Sequence, residues 1–291
     1  MIVARTAEEL AAVPHHGTRV VVMTMGALHD GHLALVRRAQ ELGDQVVVTI
    51  FVNPLQFNEA ADYERYPRTL EADCALLESL GVDAVFAPGD EVMYPAGVPV
   101  VSVSAGVIGT VLEGAARPGH FDGVVTVVAK LLNLTQPQVA VFGAKDAQQV
   151  IAVRALVRDL NFPVAIATAS TVRDPDGLAQ SSRNVFLSPS ERESALALSR
   201  SLQEADAAAQ AGRSLADVVA AGREVLSRAA GVEVDYFSAL NPADASEVQG
   251  DYRGEVVIAV AAHVGATRLI DNVTTRIGPP EGAVGAEGEL Q

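Results

Sequence analysis

The stretch Arg19-Val-Val-Val-Met-Thr-Met-Gly-Ala-Leu-His-Asp-Gly-His32 decides the architecture. Its first half, Arg19 to Thr24, is a nearly continuous apolar, β-branched run of strand length. Such a run suits a parallel strand covered on both faces. A glycine-punctuated turn follows, and Gly31 to Leu42 then sets Leu35, Ala39 and Leu42 on one helical face. Working outward, the same alternation returns. Gln45 to Val52, Asp83 to Ala87, Val139 to Phe142 and Val164 to Thr168 read as short apolar strands, while Asp122 to Leu134 and Asp146 to Leu160 have helical spacing. Thr6-Ala-Glu-Glu9 matches a capping box and predicts a short opening helix. Strands alternating with helices indicate an α/β fold, a doubly wound Rossmann-like parallel sheet. Ligands of such sheets bind beyond the carboxyl ends of the strands, where the strand order reverses.

The rhythm changes after residue 172. Ser190 to Ala211 and Leu215 to Ala230 are long Ala-rich helical stretches, and Val232 to Ala239, Glu255 to Ala262 and Thr267 to Val273 read as strands. The expected organisation is a Rossmann-like domain over 1–172, a smaller α+β lid domain over 173–276 and a disordered Gly- and Glu-rich tail over 277–291. Arg173-Asp-Pro-Asp-Gly177 is turn chemistry and a candidate hinge.

Composition narrows the partners. The chain has 21 Lys and Arg against 36 acids, a formal charge of −15, which argues against nucleic acid and anionic membranes. An acidic protein can still bind a polyphosphate if a few cations are focused in one cleft. Cys74, the single cysteine, rules out an internal disulfide and shares a helical face with Leu70, Leu77 and Leu80, as a core residue would. Met1 to Val13 carries no signal pattern, and no apolar run approaches the roughly 18 residues of a membrane span, so the expected location is the cytoplasm.

The chemistry concentrates where the first strand enters the first helix. Gly26 and Gly31 let the backbone approach a bulky anion. The helix start presents unpaired amide donors and partial positive charge, which suits phosphate. His29 and His32, three residues apart, can point to one side of the helix entry and donate to phosphate oxygens as charge moves onto a leaving group. Two plainer readings compete. The pair could be zinc ligands, although no thiol or carboxylate cluster lies beside them, or solvated surface histidines. A dinucleotide fingerprint is absent, because no Gly-x-Gly-x-x-Gly follows the strand.

Further motifs follow in order. Thr49-Ile-Phe-Val-Asn-Pro-Leu-Gln-Phe57 delivers Asn53 and Gln56 to a strand end, and Tyr66-Pro-Arg-Thr69 precedes Asp73. Arg117-Pro-Gly-His-Phe-Asp-Gly123 precedes an apolar helix. Phe142-Gly-Ala-Lys-Asp-Ala-Gln-Gln149 ends a strand, and Asp176-Gly-Leu-Ala-Gln-Ser-Ser-Arg-Asn184 crosses the domain border. The His-x-Gly-His segment resembles the signature of adenylate-forming nucleotidyltransferases. The whole series, over roughly residues 1 to 275, resembles the pantothenate synthetases.

That resemblance implies ATP-dependent condensation of pantoate with β-alanine through a pantoyl-adenylate, with release of pyrophosphate and AMP. It implies catalytic roles for His29, His32, Lys145, Ser181, Ser182 and Arg183, with the proton-donor role on His32. It places ATP on Met25, Gly26, Ala27, Leu28, His29, Asp30, Gly31, His32, Gly143, Ala144, Lys145, Asp146, Val172, Gln180, Ser181, Ser182 and Arg183. It places pantoate and β-alanine on Gln56, Gln149, Asn53 and His120, Mg²⁺ with Asp73, and a homodimer on the N-terminal domain. Several positions depart from the family pattern. Met23 and Ser170 replace prolines, Ala144 and Ala147 replace a Glu and an aromatic, and Gln180 replaces an apolar residue. Ala72 and Leu76 stand where relatives offer metal ligands. Two other readings compete, a nucleotidyl transferase acting on a phosphorylated acceptor and a silent nucleotide-binding module.

Overall fold

Six strands form one wholly parallel sheet in the computed structural model, which describes residues 1–278. They are β1 (Ile2–Ala4), β2 (Arg19–Thr24), β3 (Gln45–Ile50), β4 (Ala84–Phe86), β5 (Val139–Gly143) and β6 (Ala165–Ala169), ordered β1-β4-β3-β2-β5-β6. Successive β2 side chains point to opposite faces, yet Val20, Val21 and Val22 are all fully buried. Both faces of this strand are covered, as its apolar run demands. On one face Val20 and Val22 join Val46, Val48 and Val85 in a core completed by Val36 and Ala39 of the helix Asp30–Leu42.

The chain order places the site. From β2 the sheet grows one way through β3 and β4, then returns to β2 and grows the other way through β5 and β6. The reversal falls between β2 and β5, so the loops leaving these two strands border the crevice where ligands of doubly wound sheets bind. Those loops are Met25 to His29 and Ala144 to Asp146. Strand β1 was not expected. At three residues, with Ile2 and Val3 largely exposed at the sheet edge, it carries too little pattern to read.

The chain divides into two compact units, Met1–Val172 and a second beginning at Arg173. In the second, helices Pro189–Gln210 and Leu215–Ser227 cover an antiparallel sheet of β7 (Val232–Leu240), β8 (Gly254–Val264) and β9 (Thr267–Ile277), ordered β7-β8-β9. Leu198, Leu202, Val218, Phe237 and Ile258 lie in its core. Ser188 and Glu191 form a capping box at the first of these helices, with Pro189 at its first turn. Strand β9 runs past the expected Val273, because Thr274, Thr275 and Arg276 continue the ladder with β8 although their side chains break the apolar pattern. Ile277, assigned from sequence to the tail, is a buried strand residue, and the rest of the tail from 279 lies outside the described residues. The Arg173–Gly177 turn is tied within its own unit. Arg173 makes a two-pronged pair with buried Asp271, and Arg192 reaches both Asp174 and Asp176.

Candidate active site

The histidine loop is built around the start of the helix Asp30–Leu42. His29 is its N-cap, with extended backbone, and its Nδ1 accepts from Gly31 N–H at 3.1 Å. His32 returns the bond, its Nδ1 accepting from His29 N–H at 3.3 Å, and the ring centroids lie 4.1 Å apart. A backbone N–H can only donate, so each Nδ1 is unprotonated and each neutral ring carries its proton on Nε2. Burial lowers the His32 pKa to about 4, with His29 adding to the shift. Burial and then the Lys145 ammonium lower that of His29. Both rings are therefore neutral Nε2–H donors at pH 7, seated where the helix dipole favours an anion.

The loop before them is held by Asp73. Gly26 turns at φ +85°, where an L side chain is strained and a Cβ would sit 3.0 Å from Asp73 Oδ2. Ala27 follows in the left-handed region at φ +50°. The Asp73 carboxylate accepts from Ala27 N–H at 3.0 Å, Leu28 N–H at 2.9 Å and Thr69 Oγ1 at 3.1 Å, and the residue is 2% exposed. Expected as the magnesium ligand, Asp73 is instead turned inward onto the loop backbone and shielded from solvent. Among the described residues no group of three or more His, Cys, Asp or Glu could hold a metal ion. These donors do not form a protein cage for Mg²⁺.

A polar network lies after β3. Asn53 caps the short helical turn Pro54–Gln56 and is 1% exposed. Its Oδ1 accepts from Leu55 N–H and Tyr94 OH, and its Nδ2 donates to Gln56 Oε1 and the Gly123 carbonyl. All four of its hydrogen-bonding positions are used, so Asn53, expected to touch substrate, belongs to the frame of the site. Gly123 is obligatory here, since a Cβ would lie 2.3 Å from Leu55 O. Gln56 Nε2 points to Met25 Sδ at 2.9 Å. His120 Nδ1 meets the Gln56 carbonyl at 2.9 Å and must donate to it, leaving Nε2 to accept from Arg117 at 3.1 Å. Burial and the Arg117 charge lower the His120 pKa to about 4, in keeping with this neutral form.

At the end of β5, Ala144 N–H continues the ladder to Ala169 O, and Lys145 Nζ lies 3.7 Å from Asp146. Gln149 sits in the first turn of the helix Ala147–Asp159 beside buried Gln148, which clamps the Ile108 and Val111 carbonyls. A family model described as pantoate-beta-alanine ligase matches residues 2–274 of this frame. The chain belongs to the pantoate–β-alanine ligase family.

Its relatives agree with that placement. A pantothenate synthetase of Thermobifida fusca is 55% identical over 282 residues, covering 94% of this chain and 95% of that one. A crystal structure of pantothenate synthetase from Thermus thermophilus aligns with a TM-score of 0.86 at 48% identity, over 94% of this chain and 99% of that one. A pantoate–β-alanine ligase from Francisella tularensis, complexed with beta-gamma ATP and β-alanine, aligns at a TM-score of 0.73 and 34% identity, over 94% and 97%. The reaction of this ligase family is the ATP-dependent condensation of pantoate with β-alanine through a pantoyl-adenylate, releasing pyrophosphate and AMP.

The remaining expected ligase residues fall as follows. Met25 to His32 and Gly143 to Asp146 border the switch point, while Gln56 and His120 are joined through the Gln56 carbonyl. Val172 closes the first unit and is half-buried. Gln180, Ser181, Ser182 and Arg183 belong to the second unit. There Ser181 caps the turn Ser182–Phe186, Ser182 and Arg183 are exposed, and Gln180 Nε2 donates to Asp174 at 3.0 Å. Tyr94 was missed from sequence. It stands in no periodic pattern, and only the fold brings its hydroxyl to Asn53 across 41 residues of chain.

Proposed function

We propose that the His29–His32 pair is the adenylation centre of this ligase, acting through two neutral Nε2–H donors. The observation that carries this is the capture of both Nδ1 atoms by backbone N–H groups at a helix N-terminus. The pantoate carboxylate is ionised at pH 7 and needs no base. Its oxygen bonds to the α-phosphorus of ATP as the bond to pyrophosphate breaks. The charge that leaves is stabilised by His29, His32, the first amides of their helix, and Lys145. Ser181, Ser182 and Arg183 carry two hydroxyls and a guanidinium fork, a set suited to binding phosphate. With a pKa of about 4, His32 works as a hydrogen-bond donor rather than as an imidazolium acid. Gln56 and Gln149 orient pantoate, and β-alanine then attacks the acyl carbon and displaces AMP.

In this reading Mg²⁺ arrives on ATP, held by phosphate oxygens and water, and no protein step uses it. The enzyme works in the cytoplasm, where ATP is made available. It works as a homodimer through the first unit, whose Val98, Val100 and Val101 are 80%, 96% and 84% exposed, an apolar surface suited to burial. Pantoate-dependent exchange of labelled pyrophosphate into ATP, without β-alanine, tests the two-step order. Exchange is expected under those conditions, and exchange seen only when β-alanine is added would overturn the proposal.

A further inference from the structure

The chain Tyr94–Asn53–Gln56 has a direction that can be read atom by atom. Two one-way partners set the Asn53 amide. Leu55 N–H, which only donates, lies 3.3 Å from Oδ1, and the Gly123 carbonyl, which only accepts, lies 3.1 Å from Nδ2. The Tyr94 hydroxyl, 2.8 Å from Oδ1, must therefore donate. The Gln56 atom 3.1 Å from Nδ2 must accept and is Oε1. The Gln56 amino group is thereby turned to Met25 Sδ. A thioether is a weak acceptor, so a substrate oxygen would replace it favourably.

Tyr94 is itself firmly placed. Its N–H donates to Asp90 O and its carbonyl accepts from Gly97 N–H. Its ring packs edge-on to Phe51 at 5.9 Å, with Lys130 Nζ 5.6 Å from the centroid. Burial pushes the phenol pKa well above its usual value, so the hydroxyl keeps its proton.

We propose that Tyr94 is a positioning residue for the acid substrate, anchoring the Asn53 amide, whose direction the Leu55 N–H and the Gly123 carbonyl set, and so steadying the orientation in which Gln56 presents N–H donors to pantoate. The assignment rests on the reading of Gln56 as a pantoate ligand. Tyr94 touches no reacting atom. It acts by adding a third partner to an Asn53 side chain already directed by the backbone, which holds Asn53 Nδ2 against Gln56 Oε1 and so disfavours the flipped Gln56 amide. An oxygen that can only accept, such as that of an ionised carboxylate, is the class of group this orientation selects.

The test is Tyr94→Phe in the full chain, which keeps the ring and its packing. Pantoate kcat/KM should fall about three- to tenfold, through KM, with the KM for ATP within twofold of wild type. Melting temperature measured in parallel reports any loss of fold. In a Gln56→Ala background the same substitution should cost less than twofold, because the residue it acts through is gone. Four outcomes would overturn or redirect the proposal. An unchanged pantoate kcat/KM, an equal rise in both KM values, or an undiminished effect in the Gln56→Ala background each refutes the relay. Wild-type pantoate kinetics in Gln56→Ala alone refutes the underlying reading of Gln56 instead.

Discussion

Replacing Asp73 by asparagine separates two tasks that a carboxylate at this position can have. Its Oδ2 accepts from Ala27 N–H at 3.0 Å and Thr69 Oγ1 at 3.1 Å, and its Oδ1 from Leu28 N–H at 2.9 Å. Asparagine keeps the size but turns an amino group toward one backbone donor. Of the three charge-assisted bonds, at least one backbone bond is lost and those that remain become neutral. Hydrogen bonds to charged groups contribute about 1.5–3 kcal/mol each. The loop they hold contains Ala27 at φ +50°, a conformation costing a non-glycine residue about 1–2 kcal/mol, so the loss is large enough to release it. His29 follows two residues later, and its partner His32 depends on its backbone N–H. We expect Asp73→Asn to lower pantoate-dependent pyrophosphate exchange by about ten- to hundredfold, the equivalent of about 1.4–2.8 kcal/mol. Raising Mg²⁺ should not restore it, since the defect lies in the backbone. Exchange within threefold of wild type, or recovery on adding Mg²⁺, would refute the reasoning.

Two further expectations concern charge. His32 and His120 have pKa values near 4 in the folded chain against 6.5 when exposed. As pH falls below about 6.5, the unfolded chain takes up protons that these rings refuse, so stability declines toward pH 4 by at most about 1.4 kcal/mol per pH unit for each ring. Thermal melts from pH 8 to 4 check this, and exchange should stay flat between pH 6 and 8. An inflection near 6.5 that disappears in His32→Ala would show that His32 titrates as an ordinary imidazole. Lys145→Ala should cost at least about a hundredfold in kcat/KM for ATP, near 2.7 kcal/mol, while Ala144→Glu should change it less than about tenfold. Ala144 contributes its backbone N–H to Ala169 O, and its side chain carries no polar group. Steady-state adenylation kinetics on both variants decide, and a negligible loss from Lys145→Ala would remove that cation from the phosphates.

Much of the molecule is legible along the chain because its causes are local. Arg19 to Thr24 reads as a buried parallel strand because every residue between Val20 and Val22 is apolar and β-branched, and the helix entry near His29 reads from Gly26, Gly31 and the apolar face of Leu35, Ala39 and Leu42. The same locality made the ordered series of motifs sufficient to place the family and its reaction. What only the tertiary structure decided concerns groups that meet across long stretches of sequence. Asp73 has the composition of a metal ligand, but it lies 45 and 46 residues from the two amides that claim its oxygens. Asn53 has the composition of a substrate contact, yet Gly123, 70 residues away, and Tyr94, 41 away, complete its valences. Tautomers follow the same rule. His29 and His32 carry their protons on Nε2, and His120 on Nδ1, because each meets a different one-way backbone partner. Periodicity records which side chains seek the core, whereas a polar atom's role depends on the donor or acceptor that the fold sets against it.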